Sequence, residues 1–376
     1  MTIAVIGAGI AGASIAYHLT RLTDRPVTVY DRGEIAGETT AKSAAFFGFY
    51  GTEIERRMKR EAMAQYNAFL ANPRADPRHD LVGHLRVATT PDGAARLETA
   101  VEGLEGEAFL PSGTLAERLI LPELEEAPVT GATYRPHVGY HRPRQLALEF
   151  LRRAEENGAT VRTGTAVEDL QIDDGRLTGL AIDGDAVDVD AVACAAGPWN
   201  PALGRTAGLN LPLHHSLAPI LKIQPPNPPV HRLPILTHAE SGVYARGHED
   251  GTVLVGQIPP NPDSDHRYDP DDVGETVPDD VRDELWRVLG DLLPTLAEGD
   301  VVDEWVGVRS HTPDGNPIAG WTPVEGLSVA AFDSSGIQLS PAVGRVVATQ
   351  LAEGEPTDYY DALTLSRFDG FDDARG

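Results

Sequence analysis

Three glycines close to the amino terminus have the spacing of a phosphate-binding turn. They lie in the run Gly7-Ala8-Gly9-Ile10-Ala11-Gly12, which follows a short apolar stretch. Glycine permits a tight turn and lets a pyrophosphate approach the backbone at the start of the following helix. Asp31 follows about 20 residues later, where an acid accepts hydrogen bonds from adenosine ribose hydroxyls and repels a 2′-phosphate. The pattern predicts a bound dinucleotide, but it does not distinguish FAD from NAD.

Such a turn needs a strand before it and a helix after it, and the flanking sequence has both patterns. Residues 2–7 are apolar, residues 10–22 carry small side chains that allow close packing on a sheet, and residues 27–30 form a second strand. This is the opening of a β-α-β unit. Further patterns predict helices at 53–70, 144–157, 279–293 and from about 341, and strands at 160–162, 166–170, 191–195 and 327–331.

Two stretches of the chain depart from this alternation of strands and helices. Residues 85–140 contain short strands and many prolines, and residues 212–260 alternate as antiparallel strands do. The sequence therefore predicts an α/β fold, a Rossmann-type cofactor-binding domain with a second, β-rich substrate domain inserted. The predicted cofactor domain comprises 1–80, 140–211 and 300–376, and the predicted substrate domain comprises 81–139 and 212–299.

The composition is strongly acidic, with 57 acidic residues against 31 basic ones and a net charge of -26. The acids are spread along the chain, which favours adaptation to high salt, although a cationic partner is the alternative. Nucleic-acid binding is disfavoured, because phosphate contacts need clustered basic residues. One cysteine, Cys194, rules out an internal disulfide. No apolar run approaches the roughly 18 residues of a membrane span, and the amino terminus lacks signal-peptide features, so we expect a cytoplasmic enzyme without a transmembrane segment.

Four further segments, in this order, distinguish between the cofactors. They are Gly37-Glu38-Thr39-Thr40-Ala41-Lys42-Ser43-Ala44-Ala45, Cys194-Ala195-Ala196-Gly197-Pro198-Trp199, residues 305–320 and residues 332–342. With the glycine turn they resemble the D-amino-acid oxidase-like family of FAD-dependent flavoproteins, which includes glycine oxidase, sarcosine oxidase and D-amino acid dehydrogenase. The resemblance covers nearly the whole chain. Within this family the chain is most similar to the D-arginine or D-amino acid dehydrogenase type. Residues 43–45, 49–51, 131–134 and 307–310 carry this similarity.

The resemblance implies noncovalent FAD, because the histidine or cysteine that carries covalent flavin in sarcosine oxidases has no evident match. It also implies that the helix after Gly336 points its amino terminus at the flavin N1–C2=O edge, where hydride arrival leaves negative charge. No metal is expected. The cofactor-binding residues implied are Gly7, Gly9, Ile10, Ala11, Gly12, Asp31, Arg32, Thr40, Lys42, Ser43, Ala44, Val167, Ala196, Gly197, Trp199, Arg309, Ser335, Gly336, Ile337 and Gln338.

For the substrate, the resemblance implies that Arg309 pairs with a carboxylate, a role that suits the planar guanidinium fork. Tyr50 and Tyr244 match tyrosines that hold the substrate. His84 stands near the position of a glutamate that binds the guanidinium of D-arginine, so D-arginine is not expected to be the substrate. Two other departures are Phe46 in place of a histidine and the absence of an arginine from residues 216–219. His214, His215 or Lys222 could compensate for that arginine.

The activity implied is FAD-dependent oxidative deamination of a neutral D-amino acid, by hydride transfer to flavin N5, giving an imino and then a keto acid. Arg309 would serve equally for an N-methyl amino acid such as sarcosine, for glycine or for a 2-hydroxy acid. A flavin-binding module of a larger complex is the alternative of a different class. The expected partner is a small amino acid or related carboxylate, and the sequence leaves the electron acceptor open.

Overall fold

The computed structural model describes residues 2–71, 79–102, 107–115, 123–226, 233–258 and 268–369. Within these ranges no helix is both long and apolar enough to cross a bilayer. The helices are α1 (Ile10–Leu22), α2 (Glu53–Leu70), α3 (Pro91–Val101), α4 (Glu123–Glu126), α5 (Pro143–Glu156), α6 (Asn200–Thr206), α7 (Asp279–Leu292), α8 (Pro294–Ala297), α9 (Gly336–Glu353) and α10 (Tyr360–Leu363).

The strands of the described residues form two larger and two smaller sheets. They are β1 (Ile3–Ile6), β2 (Val27–Tyr30), β3 (Phe46–Phe47), β4 (His79–Leu81), β5 (His84–Ala88), β6 (Ala108–Pro111), β7 (Gly131–Arg135), β8 (Gly139–His141), β9 (Thr160–Arg162), β10 (Val167–Asp173), β11 (Arg176–Ile182), β12 (Asp185–Asp188), β13 (Ala191–Cys194), β14 (His214–Gln224), β15 (Ile235–His238), β16 (Val243–Gly247), β17 (Val253–Gln257), β18 (Asp300–His311), β19 (Ile318–Trp321) and β20 (Leu327–Ala331).

The chain divides into two compact units. The first contains 1–78, 141–215 and 308–376, and the second contains 79–140 and 216–307. We expected residues 300–307 in the first unit, but they group with the second. Val301 packs against the hydrophobic core of the second unit. The assignment of one unit to the cofactor and the other to the substrate stays a prediction.

The first unit is built on a six-stranded sheet in the order β19-β20-β13-β1-β2-β9. Every neighbouring pair is parallel except β19 with β20. The central strand β1 is fully buried, because helices pack beside it as expected for parallel sheets. Helix α1 approaches α9 so closely that a Cβ added at Gly344 would lie 2.2 Å from the Ser14 hydroxyl. The sequence predicts close packing of α1 on a sheet, and the structure shows in addition that α1 packs closely against a second helix.

The second unit contains an eight-stranded sheet in the order β18-β14-β17-β16-β15-β5-β7-β6. Helix α7 buries Leu285, Val288, Leu289 and Leu292 in a core shared with one face of this sheet. Val243 and Ala245 of β16 belong to that core. Because side chains alternate along a strand, Tyr244 and Arg246 point to the opposite face. We call this opposite side of the sheet the polar face.

The α/β fold with an inserted β-rich part is confirmed, whereas the predicted start of the last long helix is wrong. Helix α9 begins at Gly336 and not near Pro341, which lies inside it. Proline lacks the N–H that would bond to the Ile337 carbonyl one turn earlier. The Tyr66 hydroxyl donates to that carbonyl oxygen at 2.5 Å. This side-chain donor satisfies the carbonyl and allows the helix to run through the proline.

Candidate active site

The turn between β1 and α1 needs its glycines for steric reasons. Gly7 has φ +102°, and a Cβ there would lie 2.5 Å from the Ala195 carbonyl oxygen. A Cβ at Gly12 would lie 1.9 Å from the Gly7 carbonyl oxygen. Gly9 is the N-cap of α1, so no side chain of the N-cap residue covers the start of the helix. The turn thus has the open, backbone-lined geometry that accepts a pyrophosphate.

Asp31 lies beside this turn because β2 pairs with β1 in parallel register. Its carboxylate accepts hydrogen bonds from the backbone N–H of Ala8 at 2.6 Å and of Gly33 at 2.8 Å. Each carboxylate oxygen has further acceptor capacity, which ribose hydroxyls could use. The acid is therefore fixed in place by the turn itself, and this region of the first unit fits the adenosine half of FAD.

The segment that contains Thr40, Lys42, Ser43 and Ala44 is held to the same helix end. The Thr40 hydroxyl accepts from the Ile10 N–H at 3.1 Å, and it would lie 3.2 Å from a Cβ at Gly9. Lys42 forms an ion pair with Glu38 at 3.1 Å. The Ser43 hydroxyl accepts from the N–H of Ala45, a non-glycine residue with φ +53°. The Thr40 hydroxyl thus bonds one of the N–H groups at the start of α1, which the sequence pattern alone assigns to the cofactor. Ala11, the next residue of the helix, is buried.

Val167 follows a segment that is joined to Asp31 and Gly33 by backbone hydrogen bonds. The N–H of Thr165 donates to the Asp31 carbonyl at 2.7 Å, and the N–H of Gly164 donates to the Gly33 carbonyl at 3.1 Å. Val167 begins β10 two residues later and remains partly exposed. These bonds connect the segment that leads into Val167 to Asp31 and Gly33, and the adenine contact of Val167 stays a prediction.

The turn after β13 depends on a residue that the sequence did not reveal. The buried Asn200 accepts from the Ala196 N–H at 2.8 Å and donates to the Ala330 carbonyl at 2.8 Å. It therefore fixes the Ala196-Gly197-Pro198-Trp199 turn to the neighbouring strand β20. The Arg32 guanidinium lies 4.0 Å from the centroid of the Trp199 ring, a cation–π distance. Arg32 and Trp199 are thus brought together, and their contact with the cofactor stays a prediction.

The residues before α9 form a tight turn that is bonded to β18. The Ser334 N–H donates to the Ser310 carbonyl at 2.9 Å, and Ser334 has φ +48°. The N-cap Ser335 makes no side-chain cap hydrogen bond. Gly336 has no left-handed conformation, and a Cβ there would meet Phe332 only at an ordinary 3.4 Å. The left-handed residue of this turn is Ser334, and Gly336 is the first residue of the helix.

Arg309 lies on β18, one residue before the Ser310 carbonyl that holds this turn. The predicted carboxylate-binding residue and the start of α9 are therefore neighbours within the first unit. A guanidinium and a helix N-terminus each favour negative charge, so the predicted roles of Arg309 and of the start of α9 are chemically consistent with one another.

Tyr50 is held by a buried lysine that the sequence did not single out. The Lys59 ammonium donates to the Tyr50 carbonyl at 2.7 Å, lies 4.5 Å from the centroid of its ring and is 3.5 Å from Glu55. Burial lowers the pKa of Lys59, and the Glu55 carboxylate opposes that change. Gln338 of α9 accepts from the Gly48 N–H at 3.2 Å and donates to the Tyr50 hydroxyl at 3.5 Å. Hydrogen bonds therefore connect Gln338 to Tyr50 and to the neighbouring Gly48. Ile337 is the residue before Gln338 in helix α9.

Tyr244 and His84 belong to the second unit. Tyr244 pairs with Gly256 across β16 and β17, and a Cβ at Gly256 would lie 2.5 Å from the Tyr244 hydroxyl. The missing side chain at Gly256 therefore makes room for the ring. This glycine is a third residue that the sequence did not reveal, because its role depends on the strand register.

His84 lies in the buried strand β5, where its Nε2 is 2.9 Å from the Thr237 hydroxyl. Burial, followed by the charges of Arg135 and Arg86, lowers the pKa of His84 to about 3. The imidazole is therefore neutral at physiological pH. Arg135 is its cross-strand partner on β7, and Arg86 follows two residues later on the same face of β5.

Arg246 adds another cation to the polar face. It is buried on β16 two residues after Tyr244, and its guanidinium lies 4.3 Å from the centroid of the Tyr140 ring. Its Nη1 donates to the Gly247 carbonyl at 3.0 Å. A chain with a net charge of -26 thus places several of its few basic residues around His84 and Tyr244.

A family model described as FAD dependent oxidoreductase matches residues 2–350. The chain is 26% identical to 4-methylaminobutanoate oxidase (formaldehyde-forming) of Paenarthrobacter nicotinovorans, over 99% of this chain and 46% of that protein. It is 26% identical to glycine oxidase of Geobacillus kaustophilus, over 98% of this chain and 97% of that protein. The chain spans about half the length of the first relative, and likewise 44% of a mouse pyruvate dehydrogenase phosphatase regulatory subunit.

Solved structures with the same fold include glycine oxidase from Geobacillus kaustophilus, with a TM-score of 0.81 and 24% identity over 97% of this chain and 98% of that one. L-proline dehydrogenase from P. horikoshii has a TM-score of 0.82 and 20% identity over 98% of both chains. These structural likenesses establish the fold. The family match covers the glycine turn, the fixed acid at Asp31 and the turn before α9, and so the chain belongs to the family of FAD-dependent oxidoreductases.

Proposed function

We propose that this chain oxidises a neutral D-amino acid to the imino acid, which hydrolyses to a keto acid and ammonia. The observation that carries the proposal is the bonded neighbourhood of Arg309 and the start of α9, through the Ser334–Ser310 hydrogen bond. Arg309 holds the substrate carboxylate, and the helix end stabilises negative charge next to it. Bound FAD supplies the acceptor for a hydride from the substrate α-carbon, at flavin N5.

The proposed preference for a neutral side chain rests on residues of the second unit that the family resemblance assigns to the substrate. His84 is neutral, and its neighbours on that face include Arg86 and Arg135. A cationic substrate side chain near them would lose hydration without gaining a counter-charge. Tyr244, on the same face, offers a ring and a hydroxyl that suit an uncharged group. D-Arginine and D-lysine are therefore expected to be poor substrates.

Names of relatives support a second candidate, the oxidation of an N-methyl amino acid. The chain is similar to a 4-methylaminobutanoate oxidase and, at 23% identity over 98% of this chain, to sarcosine oxidase subunit beta of Arthrobacter sp. The D-amino acid reading is supported by 32% identity over 175 residues to D-amino acid dehydrogenase of Cereibacter sphaeroides. Arg309 would bind the carboxylate of either substrate, as it would that of glycine or a 2-hydroxy acid.

A third candidate is a flavin-binding module of a larger protein or complex. It is supported by the relatives that are about twice as long as this chain. Such a module would bind FAD in the first unit and would not be reduced by any free amino acid.

One anaerobic screen distinguishes these candidates. The holoprotein is mixed with D- and L-amino acids, sarcosine, glycine and 2-hydroxy acids, and the loss of flavin absorbance is followed. We expect neutral D-amino acids to reduce the flavin faster than D-arginine or D-lysine do. Reduction by N-methyl amino acids alone supports the second candidate, and reduction by none of these compounds supports the third. D-Arginine as the best substrate would contradict the role given to His84.

Replacing Arg309 tests the carboxylate site directly. Arg309→Met should lower kcat/KM by the equivalent of about 2–5 kcal/mol, because the substrate carboxylate loses its charged partner. Arg309→Lys should recover part of this, since it keeps the charge without the planar fork. The matched control is Arg96→Met, a change of an exposed arginine in α3. Equal kinetics for Arg309→Met and the control would place the carboxylate elsewhere.

A further inference from the structure

The oxidation proposed above needs the substrate ammonium group to lose a proton before its lone pair can assist the reaction. The motifs of the sequence contain no evident base for this step. The first unit holds a cluster of two histidines and a carboxylate next to Arg309 that could supply one. It comprises His214, His311 and Asp333.

His311 and Arg309 are both on β18, two residues apart, so they point to the same face of the strand. The two Cα atoms are then separated by about 7 Å, from the rise of a strand. A carboxylate and the amine on the adjacent carbon are close together in any amino acid. A substrate whose carboxylate pairs with Arg309 therefore presents its amine in the neighbourhood of His311.

Asp333 is placed to orient the imidazole of His311. Its Oδ1 accepts from the Thr312 N–H at 3.0 Å and lies 3.6 Å from His311 Nδ1. The backbone bond fixes the carboxylate whatever the imidazole does. A carboxylate at Nδ1 favours a proton on that nitrogen, which makes Nε2 the basic atom, and it stabilises the imidazolium that forms.

His214 is the third member of the cluster and packs against the imidazole of His311. Its ring stacks on that of His311 with centroids 4.9 Å apart and planes 20° apart. Asp333 and His214 thus both lie beside the His311 ring, and Arg309 is two residues away on the same strand.

We propose that His311 is the proton acceptor for the substrate amine, oriented by Asp333, an inference that rests on the proposed amine oxidation. In this step an N–H bond of the substrate ammonium breaks and an Nε2–H bond of His311 forms. The amine keeps the electron pair, and no oxidation or reduction occurs. The substrate class is thereby narrowed to compounds with a primary or secondary amine on the carbon that carries the carboxylate.

The test is the pH dependence of anaerobic flavin reduction by the best amine substrate of the screen, in the holoenzyme. In the wild type the rate should fall on the acid side with a slope of one proton, in the range where an imidazole titrates. His311→Asn should abolish this limb and lower the rate at pH 7 by about 100-fold or more, leaving only the rise that reflects the free amine. Imidazole added to His311→Ala should restore part of the rate.

The control is His248→Asn. His248 also has a carboxylate partner, with Nδ1 2.9 Å from Asp250, but it belongs to the second unit and lies between β16 and β17, whereas Arg309 is on β18. This variant should keep the wild-type pH profile. Asp333→Asn should move the acid limb to lower pH, because the imidazolium loses its counter-charge. FAD absorbance and the unfolding midpoint of each variant show whether the fold is retained.

The outcomes separate this inference from the proposed function. A wild type that is reduced only by hydroxy acids contradicts both, because no ammonium proton is then removed. A wild type that is reduced by amines, while His311→Asn keeps the acid limb and its rate, contradicts the role of His311 alone. If His311→Asn does not retain FAD, the role of His311 can still be tested. A wild-type pH profile without an acid limb contradicts this role, whereas an acid limb together with imidazole rescue of His311→Ala supports it.

Discussion

Helices α1 and α9 both follow a parallel strand of the first unit, and in neither does the N-cap residue make a side-chain hydrogen bond. Their turns use glycine differently. At α1, an added Cβ at Gly7 or Gly12 would collide with backbone oxygens of the chain itself. At α9, the left-handed conformation falls on Ser334, and Gly336 has ordinary space around it.

The difference shows which glycines the chain needs for its own fold. Gly12 is required by contact between α1 and the preceding turn, with or without a cofactor. At Gly336 an added Cβ would meet Phe332 only at an ordinary 3.4 Å, and the approach of a flavin to the start of α9 is a prediction that substitution of this glycine can test. Substitutions at the two turns should therefore separate effects on folding from effects on FAD binding.

The largest effect is expected from Gly12→Ala. Its Cβ would lie 1.9 Å from the Gly7 carbonyl oxygen, and neither backbone can move without separating α1 from β1. Overpacking of this kind costs about 3 kcal/mol or more, and FAD binding should be lost with the turn. Unfolding by urea with and without FAD measures both. The control Gly290→Ala, in α7 with no atom within 4 Å, should be neutral or stabilising.

The next effect concerns the acid beside the first turn. Asp31→Ala should weaken FAD binding by about 1–3 kcal/mol, the scale of hydrogen bonds to a charged group. Part of this loss comes from the turn, since the carboxylate also accepts from Ala8 and Gly33. FAD titration by fluorescence quenching measures it, with Glu34→Ala as a control for removing an exposed acid of the same loop. Equal affinities in the two variants would mean that Asp31 does not contact the ribose.

These two positions were predictable from the sequence because their roles are local. The glycine spacing and the acid follow from one strand, one turn and the next strand, and the α/β alternation needed only hydrophobic periodicity. Other roles depend on distant partners. Asn200 bonds to Ala330, and Gly256 makes room for Tyr244 only in the observed register.

The start of α9 illustrates the same limit. Proline is often found in the first turn of a helix, so a local pattern predicts a helix start near Pro341. The helix extends past it because Tyr66, far away in sequence, donates to Ile337. A local pattern does not contain that hydrogen bond. The assignment of Tyr50, Tyr244, His84 and Arg309 to the substrate came from the family resemblance and stays a prediction.

A smaller effect is expected at the second turn from Ser334→Gly. A non-glycine residue in the left-handed region costs about 1–2 kcal/mol, and part of this is offset by the greater freedom of glycine in the unfolded chain. The free energy of unfolding should therefore rise by about 0.5 kcal/mol, as measured by urea denaturation. Ala45→Gly, at another left-handed residue, is the matched comparison. A clear loss of stability would mean that the Ser334 side chain supports the turn.

The smallest effect on folding is expected from Gly336→Ala, and it is the one that tests the comparison most directly. The added Cβ would lie 3.4 Å from Phe332 in a helical residue without a positive φ, so the protein has room for it. Alanine also restricts the unfolded chain, and stability without FAD should stay equal or rise by about 0.5 kcal/mol. If a flavin lies against this helix end, the same methyl group should weaken FAD binding. A drop in FAD affinity with unchanged thermal unfolding of the FAD-free protein therefore supports the placement of the flavin edge at α9. Unchanged affinity would show that Gly336 faces no cofactor, whereas reduced stability without FAD would show that this glycine, like Gly12, serves the fold.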